Sequence, residues 1–199
     1  MSHTTEIAME AARHINLGLA RASTKPKDKE EVHKNHVNCP IAQAIKEAAA
    51  ERNKLEEEMK EHDSYLSLIR SLDFDVFSLS NACGRDRTLQ LTASKILYDS
   101  GLEVLVVGPA MMRFLERISL IYDKKIEYHN DLHGTDVMQM AYHLLKTCGL
   151  EQTLKLKEID SLSFLMAAVC HDLGHDGFTN SYHVNTVSGR AINGNDVAV

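Results

Sequence analysis

Residues 162–170 read Leu-Ser-Phe-Leu-Met-Ala-Ala-Val-Cys and run straight into His171-Asp172, with His175 four residues after the first histidine. Ionisable groups delivered by so apolar a segment are costly to bury unless something cationic meets them. A bound metal ion is the obvious partner. Upstream, His129, His133 and Asp136 stand at i, i+4 and i+7, the spacing of one helix face. Neutral imidazole nitrogens and carboxylate oxygens suit zinc and also magnesium or manganese. One histidine among 11 says little by itself. Two clusters of this make-up point to a metal-dependent hydrolase.

The wider pattern is Tyr128-His129-Asn130-x-x-His133-x-x-Asp136-Val137-x-Gln139, then His171-Asp172-x-x-His175-x-Gly177-x-x-Asn180. It closely resembles the paired signature of the class I 3′,5′-cyclic-nucleotide phosphodiesterases, themselves metal hydrolases with a His-Asp step. The likeness extends upstream to about Leu72 and downstream to Asn195-Asp196, about two thirds of the chain. The fold it implies is all-α, a multi-helical bundle of the HD-domain type. It implies hydrolysis of cAMP or cGMP to 5′-monophosphates with two divalent ions, zinc and magnesium or manganese. Carried over by position, His129 is the general acid, and His133, His171 and Asp172 hold the tighter metal. His175 and Asn180 then organise water around the second ion, Asp136 orients a neighbouring group, and Tyr128 lies beside the substrate. Two positions depart from the family. Asp176 stands where proline usually precedes the glycine, and Gly134 replaces a frequent alanine, which weakens a helix by about 1 kcal/mol.

The family's catalytic domain continues well past the equivalent of Val199, so the resemblance implies an incomplete bundle and half of a site. Residues 1–199 alone are expected to be inactive and to expose apolar faces such as those of Leu162, Leu165 and Met166. The alternative is a truncated or degenerate homologue that serves as an interaction module in a larger assembly. A different phosphate ester as substrate is the third reading, and the Tyr-His-Asn pattern argues against it.

Composition fits a cytoplasmic globular protein, with 44% hydrophobic and 25% charged residues; a flagellar or ciliary address also falls within the family reading. A net charge of -6 gives nucleic-acid binding no electrostatic support. No stretch of about 20 apolar residues predicts a membrane span, and the N-terminus lacks the pattern of a secretory signal. Cys39, Cys83, Cys148 and Cys170 share no close spacing and read as free thiols.

Three segments are expected. Residues 1–38 are an N-terminal arm and polar linker, in which His33, His36 and the adjoining Cys39 lack the fourth ligand of a structural zinc site. Residues 39–71 form a long amphipathic helix with apolar positions from Ile41 to Ile69, offering a docking surface for a protein partner over 41–69. Residues 72–199 form the N-terminal part of the catalytic domain. Within it the sequence predicts a turn at 81–85 and helices over 88–100 and 109–122, and Gly149 is expected to cap the histidine-bearing helix. Residues 102–107, Leu-Glu-Val-Leu-Val-Val, lean towards a strand, but the resemblance predicts helix or loop there.

Overall fold

Apolar residues recurring every three or four positions build helices throughout the described residues. The structure, a computed structural model, describes residues 40–105 and 108–194. The arm and linker, the His33, His36 and Cys39 set, and Asn195-Asp196 lie outside the described residues. Every regular element among the described residues is helical: α1 Pro40–Glu61, α2 Asp63–Leu66, α3 Val76–Cys83, α4 Arg85–Ser100, a 3-10 turn Leu102–Leu105, α5 Gly108–Ile121, α6 Asp131–Lys146, α7 Leu150–Leu154, α8 Glu158–Cys170, α9 Asn180–Asn185 and α10 Gly189–Asn193. The chain divides into two units, Met1–Glu47 and Ala48–Val199, and the core and the paired motifs belong to the second. No helix among the described residues is long and apolar enough to cross a membrane.

The hub is α6, which packs against α4 and α8 and also meets α3 and α7. Its Met138, Ala141, Tyr142 and Leu145 follow i, i+3, i+4, i+7 spacing and are all buried. They share one core with Leu89, Ala93, Ile96 and Leu97 of α4 and Leu162, Leu165 and Val169 of α8. Each fully buried Leu or Met contributes about 1.5–3 kcal/mol. Polar groups are matched within this core. The buried Gln139 amide donates to the carbonyls of Ile69 at 2.9 Å and Ser71 at 3.0 Å. The Tyr142 hydroxyl accepts from Arg70 Nε at 3.1 Å.

Several expectations shift. The turn over 81–85 shrinks to Gly84, because its φ of +85° reverses the chain at one residue and lets α3 run to Cys83 and α4 start at Arg85. Gly149 does not close α6, which ends at Lys146; its left-handed φ of +73° starts α7 instead. Leu102–Leu105 is a 3-10 turn, as the resemblance implies. The stripe over 41–69 is not one helix, since α1 stops at Glu61 and Leu66 and Ile69 lie beyond it. Leu55, Leu66 and Ile69 are buried. Leu162 and Leu165 are buried and Met166 is partly buried, so the large exposed apolar side chains of α8 are Ile159 and Phe164 rather than the expected three.

Gly134 has a steric reason. Buried Tyr122, just past α5, donates its hydroxyl to the Val169 carbonyl of α8 at 2.9 Å, and its ring lies across α6. A Cβ at position 134 would stand 2.7 Å from that hydroxyl oxygen and 3.0 Å from Cζ. Gly134→Ala should therefore destabilise by about 1–3 kcal/mol through overpacking, although it gains about 1 kcal/mol in helix propensity. Tyr122→Phe in the same chain should recover only part, because the ring carbon still crowds the methyl. Urea denaturation measures both, and a more stable Gly134→Ala protein would contradict the wedge.

Candidate metal centre

Three segments meet at the carboxylate of Asp172. The loop before α6 brings Tyr128 and His129, the first turn of α6 brings His133, and the C-terminal end of α8 brings His171 and Asp172. The helix starts at Asp131 because Asn130 is extended (φ -127°) and its side-chain oxygen accepts from the backbone N–H groups of Leu132 at 3.0 Å and His133 at 3.3 Å. The i, i+4, i+7 set is thus split: His133 and Asp136 are on the helix, His129 is on the loop ahead of it. The His-Asp step likewise sits at the helix end, with His171 the C-cap and Asp172 beyond.

Three imidazoles converge on one oxygen. Asp172 Oδ2 lies 2.7 Å from His129 Nδ1, 3.0 Å from His171 Nε2 and 3.4 Å from His133 Nε2. Ligand-type atoms of His129, His133 and Asp172 all fall within 4.8 Å of one another, a grouping able to hold a metal ion. The tautomers point the same way. His171 Nδ1 is 2.8 Å from the Ala168 carbonyl, which can only accept, so that nitrogen carries the hydrogen. The other nitrogen, Nε2, is the one that faces the carboxylate: protonated it donates to Asp172 Oδ2, and deprotonated it offers a lone pair that a cation would share with that oxygen. The C-terminal end of α8 adds the negative pole of its dipole at the same place. The donor set fits a divalent metal.

Electrostatics agree. Burial opposes ionisation of Asp172, but the His129 hydrogen bond and the charges of His171, His129 and His133 outweigh it and hold its pKa below the usual carboxylate range. Burial, and then the neighbouring His171, push the His133 imidazole down, which favours the neutral form a metal needs. The Asp136 carboxyl, on the groove side of α6, is pushed up, chiefly by desolvation.

The other expected residues divide. The His175 ring stacks on His129 with centroids 4.0 Å apart, and its Nδ1 accepts from the Gly177 backbone N–H at 2.9 Å. Tyr128, exposed, sits 4.4 Å from the His133 ring. Asp136 lines a groove of about 500 Å³ between α6 and α8, with Tyr128, His133, Met140, Phe164 and His171. Asn180 opens α9 and makes no hydrogen bond to the cluster among the described residues. Asp176 adds no free charge beside the histidines. Its carboxylate lies 3.2 Å from His183 Nε2 and 3.4 Å from Arg190 Nε, while Arg190 Nη2 donates to the Gly174 carbonyl at 2.8 Å. The turn is pinned by charge where the family uses proline.

Sequence reasoning missed Asp131 and Arg85. Asp131 is fully buried in the first turn of α6 and pairs with Arg85 at the start of α4, Nη2 to Oδ1 being 2.6 Å. An aspartate directly after Asn130 and an arginine directly after Gly84 look like surface residues in sequence. Only their 46-residue separation closing in space reveals them.

Residues 128–199 match the family model described as 3′5′-cyclic nucleotide phosphodiesterase. The dual specificity calcium/calmodulin-dependent 3′,5′-cyclic nucleotide phosphodiesterases 1C of Mus musculus and Homo sapiens are each 30% identical over 97% of this chain. The human 1B protein is 36% identical over 67% of it. The chain spans 26–27% of the length of these curated relatives. With the paired motifs in place, the all-helical fold around them and these matches, the chain belongs to the 3′,5′-cyclic nucleotide phosphodiesterase family and carries the N-terminal part of its catalytic domain.

Proposed function

We propose that the protein hydrolyses 3′,5′-cyclic nucleotides, cAMP or cGMP or both, to 5′-nucleoside monophosphates. The convergence of His129, His133 and His171 on Asp172 Oδ2 carries this reading. Relatives described as dual specificity phosphodiesterases support the substrate class. His133, His171 and Asp172 would hold the tighter ion, taken as zinc, and His175 and Asn180 would arrange water around the second, taken as magnesium or manganese. When bound, the ions would supply Lewis-acid polarisation of the phosphate and a more acidic water.

The chain's own residues then divide the work. His129 binds Asp172 through Nδ1, which orients the ring and leaves Nε2 as its working nitrogen. From Nε2 it would donate a proton to the ribose O3′ as the P–O3′ bond breaks. The stacked His175 keeps that ring from tilting. Asp136 would orient its neighbour His133. Tyr128, Met140 and Phe164 would give the nucleoside an apolar wall beside the phosphate site.

Within the same reading, residues 72–199 are the N-terminal part of the catalytic domain, 39–71 a packing and docking segment, and 1–38, outside the described residues, an arm and polar linker. A protein partner over 41–69 would meet the exposed face of Glu51, Lys54 and Glu57, because Leu55, Leu66 and Ile69 are buried. The free thiols of Cys83, Cys148 and Cys170 suit a reducing, cytoplasmic setting.

Two measurements test the site. His133→Ala, His171→Ala and Asp172→Ala in the full-length protein should each lose most bound zinc by elemental analysis, since removing a direct ligand costs more than the 10–100-fold typical of outer partners. Wild-type zinc content in all three would refute the ligand set. His129→Asn should keep its zinc but slow cyclic-nucleotide hydrolysis by roughly 10²–10⁴-fold. An ester with a much better leaving group should be slowed far less. Loss of zinc in His129→Asn would make it a ligand instead, and equal slowing of both substrates would refute its role as the acid.

A further inference from the structure

Arg85 and Asp131 each break a local rule. An arginine in the first turn of α4 opposes the helix dipole, and a carboxylate buried to 0% exposure is costly without a partner. Together they compensate each other. Arg85 Nε and Nη2 both donate to Asp131 Oδ1, at 3.0 and 2.6 Å, while Nη1 donates to the Lys124 carbonyl at 3.2 Å. One guanidinium therefore grips both ends of the 124–131 segment, which carries Tyr128 and His129. Lys124 closes the arrangement, its Nζ lying 3.7 Å from Asp131 Oδ2 and bonding Asp86 of α4. Asn130 ties the loop internally, its side-chain N–H groups donating to the Ile126 carbonyl at 2.8 Å and the Glu127 carbonyl at 3.2 Å. The loop is therefore stiff within itself. Against the rest of the fold it is tied by Lys124 to Asp86 and by His129 to Asp172, and Arg85 is the one side chain that holds both of its ends.

We propose that Arg85, acting through Asp131 and the Lys124 carbonyl, is the positioning residue that holds His129 against Asp172. This rests on the reading of His129 as the proton donor to the leaving group. His171 and Asp172 lie at the end of α8, which the clamp does not touch, and His133, though two residues after Asp131, is held by the buried apolar face of α6. Loosening the clamp should move His129 and leave the ligands in place. A shift of about 1 Å in a reacting group costs on the order of 10²-fold in rate.

The test compares Arg85→Lys, Arg85→Ala and Asp131→Asn with the wild type in the full-length protein loaded with zinc and magnesium. Lysine keeps the charge but presents no fork that reaches both Asp131 and the Lys124 carbonyl. Three readouts are taken: bound zinc, the ¹⁵N ring resonances of the histidines, and turnover of cyclic nucleotide against an ester with an activated leaving group. The expected result is wild-type zinc, His129 resonances shifted or broadened while those of His133 and His171 stay, and roughly 10–100-fold slower cyclic-nucleotide turnover with the activated ester unaffected. Unmoved His129 resonances in Arg85→Lys would overturn the proposal, as would equal loss on both substrates or loss of zinc. Should Arg85→Ala fail to fold, the two milder variants decide. If the wild type hydrolyses no cyclic nucleotide, the functional reading fails, and the histidine resonances still decide whether Arg85 positions His129.

Discussion

Everything at the site depends on one crowded carboxylate oxygen, Asp172 Oδ2, on which three imidazoles close. It is surrounded by imidazole nitrogens from three directions, and each meets it either as a proton donor or as a co-ligand of a shared cation. A fold keeps so many polar groups at one point only where its packing fixes the elements that carry them. Here the packing is in place: α6 and α8 share a core of fully buried Met138, Leu145, Leu165 and Val169. The apolar contacts of the two helices supply the rigidity, and the polar ends supply the chemistry. This division explains why so hydrophobic a segment ends in charged residues.

The residues gathered around Asp172 are legible in the sequence because their chemistry is rare and their spacing regular. The apolar run 162–170 reads as a packed segment that delivers His171 and Asp172 at its end, where helix packing holds side chains in a fixed place. The position of His129 is less legible. Its spacing to His133 suits a helix, yet Asn130 caps the helix one residue later, and capping outweighs periodicity at a helix end. The Arg85–Asp131 pair is not legible, since two common charged residues 46 positions apart carry no local pattern. Nor is the burial of Leu162 and Leu165. Amphipathic spacing says that a face is covered, but not by which element.

The departures from the family pattern read differently in three dimensions. Asp176 replaces the rigidity of a proline with ion pairs to His183 and Arg190, so its turn is held by groups that salt and pH can reach. Gly134, an unfavourable helix residue in isolation, is the recess that admits Tyr122.

That recess ties two positions into one character. The Tyr122 ring is wedged on α6 at Gly134 and anchored on α8 at Val169, so its thickness sets how far apart the two histidine-bearing helices stand. A relative that carries alanine in place of Gly134 must fill the same gap with a thinner or displaced side chain, or accept a wider one between the groups that meet at Asp172. Over evolutionary time the pair should change jointly, and the spacing of the site would be inherited through a tyrosine and a glycine that take no part in its chemistry.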